Sequence, residues 1–127
     1  EYGIAEKFIF TSQVPWEDIP FFYHISDIFV TASTSEIHPI TCIEAVSSGL
    51  PLIVPADPAY SNIVRNNENG FLVKNEHEFL ERTQLLITSK LLRRAFSKKS
   101  LEIAKLQTEV SYAKQVSDFY IEERQIL

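Results

Sequence analysis

The chain has 127 residues, 45% apolar and 12% aromatic, enough for one packed core and unlike a disordered or fibrous class. Its formal charge of −5 and pI near 5.2 argue against nucleic acid as a partner, because a phosphate backbone needs a basic surface. The lone cysteine, Cys42, precludes an internal disulfide framework and suits a reducing cytosol, and no apolar run approaches the length of a membrane span.

The chain opens Glu1, Tyr2, Gly3, Ile4 without a basic or apolar leader pattern. It has no initiating Met and no Met anywhere. An excerpt from a longer polypeptide is expected.

Phe8, Ile9 and Phe10 read as a short buried strand. Trp16 to Ile19 opens a helix running to His24 or Ile25, with Pro20 in the first turn, where a missing N–H is tolerated. Residues 27–32 form the next strand. Its continuous apolar core, Ile28, Phe29 and Val30, fits a strand covered on both faces. A polar loop over 32–38 follows. Pro39 suits the first helical position, and the helix then runs to Ser48 with Gly49 as its left-handed stop.

Leu52, Ile53 and Val54 read as another buried strand. A short helix is expected over 60–65, then a turn cluster from Asn66 to Gly70 and a strand at Phe71, Leu72 and Val73. From Glu76 the pattern becomes helical, with Phe79, Leu80, Thr83, Leu86 and Ile87 on one apolar face. Two more helices are predicted, over 91–106 and 111–125. Alternating strands and helices imply an α/β fold with an incomplete Rossmann-like parallel sheet and flanking helices. The expected organisation is a partial nucleotide-sugar-binding domain over 1–106. A C-terminal helix within 107–127 would pack back toward an N-terminal domain outside this chain.

The most informative feature is a pair of glutamates, Glu36 and Glu44, eight apart between two predicted strands. In a strand–loop–helix–strand unit, the helix N-terminus faces ligands beyond the strand's carboxyl end. The free N–H groups of Ile40, Thr41 and Cys42, with the helix dipole, would suit a diphosphate. Thr41 could add its hydroxyl. Eight residues span about 12 Å if wholly helical, so the two carboxylates can flank that phosphate. Each can accept paired hydrogen bonds from neighbouring hydroxyls. A nucleotide sugar has this layout, a charged centre between two hydroxyl-rich ends.

Other readings of the pair are weighed beside this one. A helical glutamate is most often a solvated face, but Glu44 stands among Ile43, Ala45 and Val46, where a lone charge needs a partner. His38 reads either as a donor to the diphosphate or sugar or as a loop histidine. His24 and His77 read as surface residues, and no His, Cys and Asp cluster has metal-ligand spacing. Cys42 reads as a small packed apolar residue. Ser33, Ser35 and Ser48 lack a nucleophile-elbow context. Lys90, Arg93, Arg94, Lys98 and Lys99 form a basic stretch, read as a solvated face or as a contact for anionic lipid.

The run from Thr34 through Glu36 to Glu44 and Ala45, then Ser48 to Val54, resembles the E-x7-E region of retaining glycosyltransferases of family 4, which have the GT-B fold. Phe8 to Val14 resembles the family's phenylalanine-glycine strand. Tyr23 to Val30 resembles its tyrosine-to-aspartate segment, and Asn66 to Val73 its asparagine-glycine-phenylalanine-leucine-valine turn. The resemblance covers nearly the whole chain. Val14 to Pro20 and Ala32 to Glu36 look most like Gram-positive members that glucosylate diacylglycerol. Ile37 and Pro39 stand where the family often has glycine.

The resemblance implies a donor-binding half of a bacterial hexosyltransferase in glycolipid or polysaccharide biosynthesis. It would use a nucleotide sugar, UDP-glucose foremost, as substrate, with retention and with neither metal nor other cofactor. Glu36 matches the sugar-facing, catalytic glutamate and Glu44 the ribose-binding one. The backbone of Pro39, Ile40 and Thr41 matches the phosphate-approaching turn, and the main chain at Val14 the part that reads the base. The family's diphosphate-clamping Arg and Lys precede the region matched by residue 1. The acceptor, a lipid or glycan, would meet an N-terminal domain, with peripheral contact at the inner face of the membrane. A non-catalytic nucleotide-sugar-binding module and a GT-B-like UDP-sugar epimerase are the alternatives.

Overall fold

The computed structural model describes residues 3–37 and 39–106. Its centre is a three-stranded parallel sheet in the order β1 (Phe29–Val30), β2 (Leu52–Pro55), β3 (Gly70–Val73). Phe29 pairs with Leu52, and Leu52 with Gly70. Parallel neighbours require a crossover between them. The first crossover is α2 (Ile40–Ser47); the other helices are α1 (Ile19–Ile25), α3 (Glu76–Thr88) and α4 (Lys90–Leu106).

β2 explains the layering. Leu52, Ile53 and Val54 have no exposed surface. Alternate side chains leave a strand on opposite faces, and each face of β2 has its own core. Leu52 and Val54 join Cys42, Ala45, Val46, Tyr60 and Ile103 on the side of α2 and of the C-terminal half of α4. Ile53 joins Phe71, Val73, Leu86 and Phe96 on the side of α3 and of the N-terminal half of α4. Burying each of the larger side chains contributes about 1.5–3 kcal/mol.

α4 therefore touches both cores, and it is pinned by a buried polar chain at the amino edge of the sheet. Ser100 and Asn69 are fully buried. Ser100 Oγ donates to the Leu50 carbonyl at 2.7 Å. Asn69 Nδ2 donates to the Ile63 carbonyl at 3.2 Å and lies 3.4 Å from Ser100 Oγ, while its Oδ1 accepts from the Arg65 N–H at 2.7 Å. Among the described residues, no buried side-chain nitrogen or oxygen is left without a partner.

Two glycines fit positions that a side chain would spoil. Gly49 ends α2 at φ +76°, the left-handed stop expected of it. Gly70 opens β3 so close to β2 that a Cβ would stand 2.5 Å from the Leu52 carbonyl oxygen.

Several sequence-based expectations need correction. Phe8, Ile9 and Phe10 form no strand: a strand exists through its ladder, and no described strand pairs with them, the Phe8 N–H closing the preceding turn on the Ala5 carbonyl. They are 57%, 88% and 87% exposed. The strand expected over 27–32 contracts to two residues, and Val30 is 43% exposed rather than covered on both faces. Pro39 caps α2 from just outside it. The helix expected over 60–65 is one 3₁₀ turn at Pro58–Tyr60, capped by Asp57 Oδ1, which accepts from the Ala59 N–H at 2.9 Å. On α3, Leu86 is buried but Leu80 and Ile87 are 60% and 63% exposed, so its apolar stripe is narrower than the pattern implied. The helix predicted over 111–125, and with it the organisation expected for 107–127, lies outside the described residues.

Asn69→Ala should lower stability by about 1–3 kcal/mol, because it strands buried partners. Asn66→Ala, which frees only the exposed bond from the Leu72 N–H, should cost about 0.5–1.5 kcal/mol at most. Urea midpoints of the two variants test the contrast; equal shifts would contradict it.

Candidate functional site

The β1–α2–β2 unit sets the site. α2 runs antiparallel to the strands it connects, so its N-terminus lies at the carboxyl rim of the sheet, where open α/β sheets bind ligands. Pro39 supplies no N–H. The Cys42 N–H donates to the Pro39 carbonyl at 3.0 Å, and the Ile43 N–H reaches the same oxygen at 3.3 Å. Cys42 is therefore not one of the free donors. The N–H groups of Ile40 and Thr41 make no hydrogen bond among the described residues, and both residues are exposed. Ile37, where glycine was the family's frequent choice, does not need left-handed backbone. Among described non-glycine residues, only Ser12 and Asn67 have positive φ.

Glu44 is exposed on α2, but it is not loose. The Tyr23 hydroxyl of α1 donates to Glu44 Oε2 at 2.8 Å and stands 3.3 Å from the Thr41 carbonyl. One carboxylate oxygen is thus held, and Oε1 is left for another donor. Burial, then the hydrogen bond to Glu44 and the charge of that carboxylate, pushes the Tyr23 phenol well above the ordinary tyrosine range.

Glu36 is exposed in the loop after β1 and is held by a relay. Tyr60, fully buried, donates its hydroxyl to the Ser33 carbonyl at 2.7 Å. The Ser33 N–H donates to Thr31 Oγ1 at 3.2 Å, and Ser33 Oγ donates to Glu36 Oε1 at 2.9 Å. Burial, then the Glu36 charge, pushes the Cys42 thiol up to about 11. The Tyr60 phenol is also raised, by burial first, and the Glu36 charge contributes there too. The charge of Glu36 is thus felt at both Cys42 and Tyr60.

Val14 lies elsewhere. It lines two cavities, one of about 570 Å³ within the 9–22 segment and one of about 310 Å³ between that segment and β1, the latter also bounded by Tyr23 and Phe29. Neither glutamate lines them, and Tyr23 is the side chain linking this region to Glu44. The carboxyl rim holds a further cavity of about 360 Å³ walled by Thr31, Thr34, Pro55, Lys74 and Phe79. His38 lies outside the described residues. Sequence reasoning missed Tyr23, Ser33 and Tyr60 as supports for the glutamates. Ser33, three residues before Glu36, was within local reach; Tyr23 and Tyr60 act across 21 and 27 residues of chain.

The profile of the family Glycosyl transferases group 1 matches residues 1–102, and the chain belongs to that family. It is 29% identical over 123 residues to alpha-monoglucosyldiacylglycerol synthase of Streptococcus pneumoniae, covering 94% of this chain and 26% of that protein. It is 27% identical over 119 residues to the synthase of the same name from Acholeplasma laidlawii, covering 93% of this chain and 30% of that protein. The chain thus spans under a third of each relative. Sucrose-phosphate synthase of Thermosynechococcus elongatus superposes with a TM-score of 0.82 at 22% identity, over 99% of this chain and 32% of that one. The pneumococcal O-GlcNAc transferase GtfA, solved with UDP and GlcNAc, superposes with a TM-score of 0.68 at 24% identity, over 82% of this chain and 22% of that one. These likenesses place the α/β architecture among GT-B glycosyltransferases. No described helix is long and apolar enough to cross a membrane.

The raised thiol and phenols imply an alkaline limit. Each group holds its proton more tightly folded than unfolded, so each contributes stability below its unfolded value and loses it as pH rises toward the folded one. For Cys42 that window opens near 9.0 and closes near about 11. The urea midpoint should fall between about pH 8 and about pH 10.5; a flat profile would contradict the burial argument.

Proposed function

We propose that this chain is the donor-binding part of a hexosyltransferase that moves glucose or a similar hexose from a nucleotide sugar, UDP-glucose foremost, to a lipid or glycan. The observation that carries this reading is the arrangement around the first turn of α2. Two exposed amides, of Ile40 and Thr41, lie between a glutamate braced by Tyr23 and one braced by Ser33. The family supports transfer, and the two diacylglycerol-glucosylating relatives support a lipid acceptor.

In this reading the diphosphate rests against the Ile40 and Thr41 amides, where the helix dipole favours negative charge. Pro39 leaves the approach open because it projects no N–H of its own. Glu44 accepts from the ribose hydroxyls with Oε1 while Tyr23 holds Oε2. Glu36, the catalytic glutamate of this proposal, accepts from hydroxyls of the transferred sugar. His38 adds a donor at the same turn, and the main chain at Val14 faces the base. Charge developing on the leaving diphosphate is met by fixed amides, the kind of preorganised stabilisation that lowers a barrier most. Attack by the acceptor hydroxyl on the face the diphosphate leaves, with the hydroxyl proton passing to the departing diphosphate oxygen, retains the anomeric configuration and requires no protein nucleophile and no metal. The acceptor domain and the peripheral membrane contact belong to the longer polypeptide, and residues 1–127 alone are expected to be inactive.

Calorimetry of UDP-glucose on the full-length protein tests the site. Glu44→Ala should weaken binding by about 1.5–3 kcal/mol, the range for hydrogen bonds to a charged group. Glu36→Gln should reduce turnover more than it reduces UDP affinity. Unchanged nucleotide affinity in Glu44→Ala would remove that residue from the site.

A further inference from the structure

Away from the candidate donor site, four cationic side chains line a cavity of about 520 Å³ at the amino end of the sheet, between α4 and the segments that lead into β1 and β2. Lys90, Arg94 and Lys98 lie four apart along α4 and all face it, with Arg93 beside them. The facing wall includes Gly49, Leu50 and Pro51. Asp27 is the one acidic lining residue, in a chain whose net charge is −5.

Arg93 is already committed. Its guanidinium donates to the Leu86 and Ile87 carbonyls at 2.7 and 2.8 Å, closing the end of α3, and stands 3.6 Å from Asp27. Lys99, pointing elsewhere, pairs with Glu68 and Glu102 at 3.4 and 3.5 Å. The side chains of Lys90, Arg94 and Lys98 have no ion pair or hydrogen bond among the described residues. Like charges four apart on one helix face repel. Cations in a first turn also oppose the helix dipole, and the first turn of α4 carries no acid. All three side chains are exposed, and all three line the same concavity.

We propose that this cavity is a second ligand site, one that takes a phosphate mono- or diester. A tetrahedral oxyanion can accept from several cations at once, with Arg94 able to offer paired N–H groups. The hydroxyls of Ser48 and Ser97 on its walls can complete the shell. The phosphate can belong to a soluble metabolite or to a phospholipid headgroup. Neither Glu36 nor Glu44 lines this cavity, although Tyr23, which holds Glu44, stands on its wall.

The test uses the full-length protein with two probes. Glycerol 3-phosphate is titrated by calorimetry, and phosphatidylcholine vesicles with and without phosphatidylglycerol are tested by co-sedimentation. Joint replacement Lys90→Gln, Arg94→Gln, Lys98→Gln should weaken binding of the active probe by at least about tenfold, and Arg94→Gln alone should act in the same direction. A control with the same charge change, Lys7→Gln, Arg65→Gln, Lys105→Gln, should leave it nearly unchanged. Binding of glycerol 3-phosphate assigns a soluble ligand; binding only of the phosphatidylglycerol vesicles assigns a headgroup. Equal losses in both triple variants, or no binding of either probe by the unaltered protein, would overturn the proposal.

Discussion

The complete burial of Leu52, Ile53 and Val54 in β2 is the constraint from which the rest of this structure follows. A strand dry on both faces must have a helical layer on each, and its parallel pairing with β1 forces the chain to return through a crossover. α2 is that crossover, and its direction is not free. It must start where β1 ends, so its unsatisfied amides come to the rim of the sheet. The candidate site is a by-product of topology before it is a matter of side-chain chemistry.

Side chains then convert a rim into a site. Two phenols, one on α1 and one beyond β2, reach back across the fold to the segments holding the two glutamates. Tyr23 binds its glutamate directly. Tyr60 works through Ser33, with its own ring deep in the core. A flexible acid on a helix surface would spend most of its time in water; an acid with one oxygen already engaged has fewer orientations to lose when a ligand arrives. The raised thiol of Cys42 reflects the same crowding, in an apolar helix under a neighbouring negative charge.

Much of this was legible in the sequence, and the boundary is instructive. α2, its glycine stop and β2 were readable because each depends on local pattern: a proline at the start, small apolar residues, a left-handed end. The glutamate pair was readable because spacing and an apolar setting are properties of a short window. Phe8 to Phe10 was misread because apolar character alone cannot supply a ladder, and Leu80 and Ile87 because a helical stripe says which residues share a face, not how wide its partner is. The braces at Tyr23 and Tyr60 were out of reach of any window, since they join residues more than twenty apart. Family likeness suggested roles for the glutamates but not the hydroxyls that hold them.

Gly70 links these levels in a different way. The hydrogen atom in place of its side chain is what lets β3 close against the carbonyl of Leu52, and Leu52 faces the core under α2. A methyl group there would have to push β2 sideways, carrying the floor beneath the crossover helix with it. Substitution at this distant strand could therefore be felt at the ligand-facing turn without any change in the residues that line it.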